Sequence, residues 1–315
     1  MKQFKSLLDL LRAFPDERAC EEYLVELRWP DGVKSPFDPE SKVYRLKGGK
    51  FKCRNTGKRF SCKVGTIFQD SNVPLTKWFI ALFQLSNNKK GTSSHQLAKD
   101  LDVKQETAWH MLHRLRDSFE QPLFISKLDG IIAVDECYVG GKNKNRHRDK
   151  KFDYSKELDK ECPDKIAVWG AISADGKVRT VAIPDVKKHT LQPLVYEYVR
   201  KDSTVVSDEW KSYKGISESY WHETVDHGKK EYMNDNGFTT NKIENYWSVL
   251  KRTINGTYNN HISRKHIQRY CNEISFRFNT KDMSTQERFD MVLRNCEGRL
   301  SYQQVVYENK TRFNY

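Results

Sequence analysis

The sequence predicts an α+β, multidomain protein: a helical and β-ribbon N-terminal region, then a helix-turn-helix unit, then a mixed α/β domain. Three observations carry that reading. Apolar residues recur at helical spacing through residues 1–30 and again through 75–119. Between them, residues 30–72 turn to Pro, Gly, Lys and short β-prone pieces. From about residue 128 the chain becomes a series of apolar, strand-like runs with one helical pattern among them.

Residues 1–30 form one or two short helices, with Phe4, Leu7, Leu8, Leu10, Leu11 and Phe14 as their apolar positions. VYRL, GKFKCR and KRFSCKVGTIF then read as strands of a small ribbon. Ser35 and Asp38 are spaced like the first half of a Cys-x-x-Cys ribbon, and Cys53 and Thr56 like the second. With one thiol at four positions, a tight structural zinc is not expected, and the ribbon is read as metal-free and held by packing. An irregular site would have to be built from Asp38, Cys53, Cys62 and Cys20.

PLTKWFIALFQLS begins the next unit as a helix with Trp78, Leu82 and Leu85 on one side. After the breaker NNKKGT, SSHQLAKDLDVKQETAWHMLHRLRDSF gives two helices joined by a turn near Asp102–Val103. Ser94 is the expected cap of the first, with Leu97, Leu101 and Val103 inward. Trp109, Leu112 and Leu115 make the core face of the second. Gln105, Glu106, Thr107, His110 and Arg114 are the candidates for an exposed, groove-facing side. An ordinary helical hairpin has the same pattern.

The strand-like runs are GIIAVDECYV, KIAVWGAIS, KVRTVAIP and STVVSD, with the helix HTLQPLVYEYVRK between the third and fourth. Three strands on short connections, then a helix and another strand, predict a mixed sheet. The polar insertion GGKNKNRHRDKKFDYSKELDKECPD separates the first two. Lys142, Lys144, Arg146, Arg148, Lys150 and Lys151 stand there against Asp149. Charge runs are usually solvated, so the argument for a phosphate grip rests on position: this one opens just after Asp135.

Three carboxylates are placed for chemistry. Asp135 closes one apolar run, Asp208 closes another, and Glu244 opens the amphipathic helix in TTNKIENYWSVLKRTI. Oxygen ligands suit hard divalent cations, and a pair of such cations drives in-line phosphoryl displacement. Asp135 and Asp208 each precede a Glu. Strand neighbours point to opposite faces, so parity leaves open which of each pair faces a common site. Glu244 also fits a capping box begun by Asn241. The helix buries Ile243, Trp247, Leu250 and Ile254 on one stripe, while Lys251 follows Glu244 by two turns on nearly the same face.

Lys+Arg of 55 against Asp+Glu of 42 gives a formal net charge of +13, which favours a polyanionic partner. No stretch approaches the roughly 20 apolar residues of a membrane span. MKQFKSLLDLLRAFPDERACEEYL reads as an amphipathic helix and not as an export signal. Seven scattered cysteines then point to reduced thiols in a cytoplasm.

Over about Trp29 to Asn279 the chain resembles the IS1595-type insertion-sequence transposases with an ISXO2-like catalytic domain. The resemblance lies in WPDGV, GTIFQDSNVPLTKWFIALFQLS, SSHQLAKDLDVKQETAWHMLHRLR, VDECYVGGKNKNRH, VVSDEWKSY, VDHGKKEY, TNKIENYWSVLKRTINGTYNNHIS and KHIQRYCNEISFRFN. It implies an RNase H-like catalytic fold of DDE type with Asp135, Asp208 and Glu244 as metal-binding acids and Lys251 as the trailing basic residue. It also implies two Mg²⁺ ions (or Mn²⁺ in their place), cleavage at transposon ends, and attack of the freed 3′-hydroxyl on target DNA. His227 matches a family histidine. The departure is in the ribbon, where Ser35, Asp38 and Thr56 stand at positions that carry Cys in the family.

The expected organisation is an N-terminal helical and ribbon module over 1–72, a helix-turn-helix domain over 73–122, a catalytic domain over 123–282 and a C-terminal tail over 283–315. Ribbon and helix-turn-helix would recognise terminal inverted repeats. Gln105, Thr107, His110, Arg114, Lys142, Lys144, Arg146, Arg148 and Arg252 are the candidate DNA contacts, and Arg264, Lys265, His266 and Arg269 add basic groups near the site. A homodimer or larger synaptic assembly, cytoplasmic and nucleoid-associated in a bacterium, follows by analogy. Two other classes stay open: a catalytically silent DNA-binding derivative, and an RNase H-like nuclease that does not join strands.

Overall fold

The computed structural model describes residues 3–120, 126–140, 148, 165–208, 211–225, 237–259 and 262–307. Helices α1 (Leu7–Ala13) and α2 (Glu17–Arg28) lead to strands β1 (Val43–Arg45), β2 (Phe51–Cys53) and β3 (Arg59–Phe60). Helices α3 (Leu75–Asn87), α4 (Ser94–Leu101) and α5 (Gln105–Ser118) follow. Strands β4 (Ile131–Val139), β5 (Ile166–Ser173) and β6 (Val178–Ile183), helix α6 (Lys188–Tyr198), and strands β7 (Thr204–Asp208) and β8 (Trp221–Val225) come next. The chain continues with α7 (Asn241–Gly256), α8 (Ile267–Asn279), α9 (Thr285–Arg294) and α10 (Tyr302–Val306). These fall into two compact units, Met1–Gln121 with Thr280–Tyr315, and Pro122–Asn279.

In the first unit, Phe4, Leu10 and Phe14 are buried, and Phe14 meets Phe79 edge-on at 5.0 Å between ring centroids. Leu8 and Leu11 instead face solvent, because a seven-residue helix presents only one stripe inward. Phe289 of α9 packs on Phe4 and Phe79 at 5.1 and 5.2 Å. The segment 283–315, read from sequence as a tail, therefore holds two helices and contributes to this core. Both begin with reciprocal capping boxes, Ser284 with Glu287 and Ser301 with Gln304.

The ribbon is antiparallel, in the order β1-β2-β3. Phe51, Cys53 and Phe60 line its inner face against Val25, Trp29, Val33, Val43 and Val64. The turn between α4 and α5 is made by Asp102 in the left-handed region, φ 48°. The cap of α4 is Ser93, which accepts from the Gln96 amide at 3.2 Å. Ser94, the expected cap, lies one residue inside the helix and accepts from the Gln105 side chain at 2.8 Å.

The second unit is built on a mixed sheet in the order β6-β5-β4-β7-β8. β4 pairs antiparallel with β5 and parallel with β7; β5–β6 is antiparallel and β7–β8 parallel. Every residue of β5, IAVWGAIS, is buried, as an apolar run in mid-sheet requires. One face packs under α7 and α8 through Ala133, Cys137, Val168, Ile172, Ile243, Leu250 and Ile274. Trp169 faces the other way, with Tyr198 of α6 at 6.1 Å. β8, WHETV, went unpredicted because an exposed edge strand needs no apolar alternation.

Candidate active site

The register decides which acids face one another. Asp135 lies between Ala133 and Cys137, whose side chains are in the core beneath α7, so its own side chain is on the α7 face. Glu136 points to the opposite face. In the parallel β4–β7 pair, Ala133 is level with Val206. Asp135 and Asp208 each lie two residues beyond that pair in strands that continue through them, so alternation puts both on the same side of the sheet.

Helix α7 is held against this point by close contact. The indole N–H of Trp247 donates to Asp135 Oδ2 at 2.9 Å, and the Glu136 amide donates to Oδ1 at 2.7 Å. The β5 residue opposite Asp135 is Gly170. A Cβ there would stand 2.5 Å from the Trp247 ring, so only glycine admits the indole.

Glu244 is exposed in the first turn of α7. The capping box read from Asn241 and Glu244 does not form: Thr240 is the N-cap and makes no side-chain cap bond. The Thr240 hydroxyl donates instead to the Glu244 carboxylate at 3.4 Å.

The charges of Asp208 and Glu244 both act on Asp135. Burial raises the Asp135 carboxyl above the usual range, against the pull of its two hydrogen bonds, and the negative charges of Asp208 and Glu244 raise it further. Burial also raises Glu136, to about 8, although the Tyr213 hydroxyl donates to it. Trp169 in turn donates to the Tyr213 oxygen at 3.1 Å. Lys251 acts on β4: burial raises the Cys137 thiol to about 11 while the charge of the Lys251 ammonium acts to lower it. A cation therefore stands two strand positions from Asp135.

The donor chemistry fits a hard divalent ion. Three carboxylates, one of them desolvated and pushed up by the other two, are a set whose repulsion a cation relieves. Among the described residues, no group of three or more His, Cys, Asp or Glu is already drawn together as a ligand set. Nor does the ribbon gather one. Burial acts to raise the Cys53 thiol, but hydrogen bonds from Ser35, Ser41 and Thr56 outweigh it and bring it to about 6.

The candidate DNA contacts divide. Arg114, expected on an exposed face, is 4% exposed: its guanidinium donates to the Gln69 carbonyl and lies over the Trp78 ring. The hydrophobic part of a long arginine stem fills the core there while its head finds a carbonyl. His110, also expected outside, is half-buried against α10, its Nε2 3.3 Å from the Leu300 carbonyl and its ring edge-on to Tyr302. Thr107 is half-buried and Glu106 exposed. Arg148 and Arg252 are exposed, as is Arg264. Arg269 donates to His266 Nδ1 at 3.2 Å. Lys142, Lys144, Arg146, Lys150, Lys151 and His227 lie outside the described residues.

Trp247 as a hydrogen-bond donor, Gly170 as its seat, and the Trp169–Tyr213–Glu136 chain were not read from sequence. The one available signal was the glycine inside the apolar strand AVWGAIS.

A family profile described as the ISXO2-like transposase domain matches residues 127–279, and one described as the transposase zinc-ribbon domain matches residues 15–63. The "uncharacterized protein in transposable element ISH50" of Halobacterium salinarum is 26% identical over 258 residues, 78% of this chain and 85% of that protein. An "uncharacterized transposase-like protein" of Haemophilus influenzae is 33% identical over 111 residues, 35% of this chain and 87% of that protein. A chain from the crystal structure of a pre-cleavage Mos1 transpososome aligns over 74% of this chain and 83% of its own, at 11% identity and a TM-score of 0.19, a likeness that carries no argument.

Proposed function

The chain belongs to the IS1595-type insertion-sequence transposases with an ISXO2-like catalytic domain, and from that premise we propose that it binds terminal inverted repeats and catalyses metal-dependent DNA strand cleavage and strand transfer. What supports this reading is that Asp135 and Asp208 each lie two residues beyond the paired Ala133 and Val206 of adjacent parallel strands, and that the charges of Asp208 and of Glu244, on the helix packed over β4, both act on the Asp135 carboxyl. The sheet order, with two antiparallel and two parallel pairings around β4, supports an RNase H-like fold for this unit.

Asp135, Asp208 and Glu244 are the residues that would hold two Mg²⁺ or Mn²⁺ ions, which when bound supply activation of an attacking oxygen and stabilisation of a leaving one. Trp247 fixes the orientation of Asp135 by donating to one of its oxygens. Lys251 supplies a positive charge beside β4 for a DNA phosphate. Arg252 and Arg264 add exposed charge for the backbone. Gln105 and Thr107, at the start of α5, are the groove-facing candidates that remain in a helix-turn-helix reading.

Two ends must be brought together for transposition, which supports a homodimer or larger synaptic assembly, and a cytoplasmic, DNA-associated location follows from the substrate. Among the described residues no helix is long and apolar enough to cross a membrane. The test is substitution: Asp135→Asn and Asp208→Asn each abolish cleavage while preserving DNA binding. Retained cleavage in either variant removes the site assignment. A wild-type chain that only nicks is a nuclease, and one that only binds is a silent derivative.

A further inference from the structure

We infer that Tyr213 is a positioning residue of the acidic site: from the far face of the sheet it sets how far Asp208 stands from Asp135. The inference deepens the functional reading above and rests on it for the metal ions that the two acids would hold.

The strand ladder leaves that distance open. Backbone pairing between β4 and β7 runs from Ile131–Thr204 to Ala133–Val206, two residues short of both acids. Each acid is paired on its outer side instead, Asp135 with Gly170 of β5 and Asp208 with Val225 of β8. Among the described residues no backbone pair joins β4 to β7 at the level of the carboxylates, so the ladder does not fix the gap between them.

Side chains span the gap from behind. Five residues after Asp208, Tyr213 ends a single 3₁₀ turn, Lys211–Tyr213, and is fully buried. Its hydroxyl donates to the carboxylate of Glu136, the neighbour of Asp135 on β4, which alternation turns to the face away from α7. The same oxygen accepts from Trp169 Nε1 at 3.1 Å, and Trp169 is the β5 residue opposite Glu136. One phenol therefore joins the chain leaving Asp208 to both strands that flank Asp135.

The turn that carries Tyr213 is itself anchored. Gln192 of α6 donates to the carbonyls of Ser212 and Lys214 at 3.2 and 2.9 Å, and the Ser212 hydroxyl donates to the Val186 carbonyl at 2.8 Å. Packing alone does not account for the arrangement. A carboxylate set against two fully buried rings costs desolvation that an apolar residue of similar size would avoid. The bond it accepts is directional, which a metal site needs: paired ions work about 3.5–4 Å apart, and their ligands must be held to within roughly 0.5 Å. Trp247 orients Asp135 from the α7 side, and Tyr213 holds the spacing from the other.

The test is Mn²⁺ binding by the full chain without DNA, read from the electron paramagnetic resonance signal of the free ion, beside DNA binding in EDTA and Mg²⁺-dependent cleavage. Tyr213→Phe should bind Mn²⁺ about tenfold or more weakly, as loss of a hydrogen bond to a charged group predicts, with DNA binding unchanged. Its cleavage should need correspondingly more Mg²⁺ and approach the wild-type rate when metal is in excess, a split that lost stability alone does not produce. Glu136→Gln keeps an acceptor for the hydroxyl and should bind Mn²⁺ within about twofold of wild type. Gln192→Ala releases the turn without touching the sheet and should weaken Mn²⁺ binding in the same direction as Tyr213→Phe. Wild-type Mn²⁺ affinity in a folded Tyr213→Phe overturns the inference; where that variant melts early, wild-type affinity in Gln192→Ala does. A weakening in Glu136→Gln equal to that in Tyr213→Phe overturns it as well. Asp208→Asn separates the two readings: if it binds Mn²⁺ as wild type does, the acids hold no metal, and the functional reading falls with the inference.

Discussion

The Trp247 indole donates to Asp135 Oδ2 at 2.9 Å, and it can do so because Gly170, across the β4–β5 ladder, leaves room for the ring. The contact ties the helix that carries Glu244 to the strand that carries Asp135. The orientation of the acidic site thus depends on a core residue, and each partner in the contact can be tested alone.

Trp247→Phe removes the N–H and keeps most of the aromatic packing. A hydrogen bond to a charged group is worth roughly 1.5–3 kcal/mol, so cleavage should fall by about tenfold or more with DNA binding unchanged. Single-turnover cleavage rates beside binding isotherms check it. A wild-type rate would mean that Asp135 needs no such orientation.

Gly170→Ala places a methyl where the indole sits. Overpacking of this kind costs about 1–3 kcal/mol. Denaturant unfolding should show a lower midpoint, and cleavage should fall with it, because α7 must lift from β4. A variant as stable as wild type would contradict the close approach.

Much of this was legible in the sequence. The strand runs around Asp135 and Asp208 were found because buried strands read as apolar segments, and the α7 stripe because 3.6-residue periodicity exposes it. Which of Asp135 and Glu136 faces the site was not legible, since parity fixes only that they differ; the choice came from Cys137 and Ala133 lying under α7. Arg114 was misread because a charged residue at helical spacing looks solvated, whereas here its stem is core and its head has a carbonyl. Helices α9 and α10 went unread although Ser284–Glu287 and Ser301–Gln304 both carry the capping-box spacing.

Glu136 predicts a pH dependence of stability in metal-free buffer. Its acid is raised from 4.5 to about 8, chiefly by burial. Between those values the folded chain keeps a proton that the unfolded chain has lost. Stability therefore falls, by up to a few kcal/mol, as pH rises through that window. Glu136→Gln should flatten this slope in a series of denaturant melts. An unchanged slope would show that Glu136 titrates normally.

Metal analysis of the purified chain should find well under one zinc per chain, and EDTA should leave its melting unchanged, since Ser35, Ser41, Asp38 and Asn55 already tie the ribbon with hydrogen bonds. One tightly held zinc per chain would contradict the metal-free frame.

The most direct measurement of the central claim is a product analysis. Wild type and Asp208→Asn are incubated side by side with Mg²⁺, duplexes bearing the ends that flank the gene, and a target DNA. The account predicts cut ends joined to target by wild type alone, with both proteins bound to the duplex. Binding by both with no cut or joined product from either would contradict it.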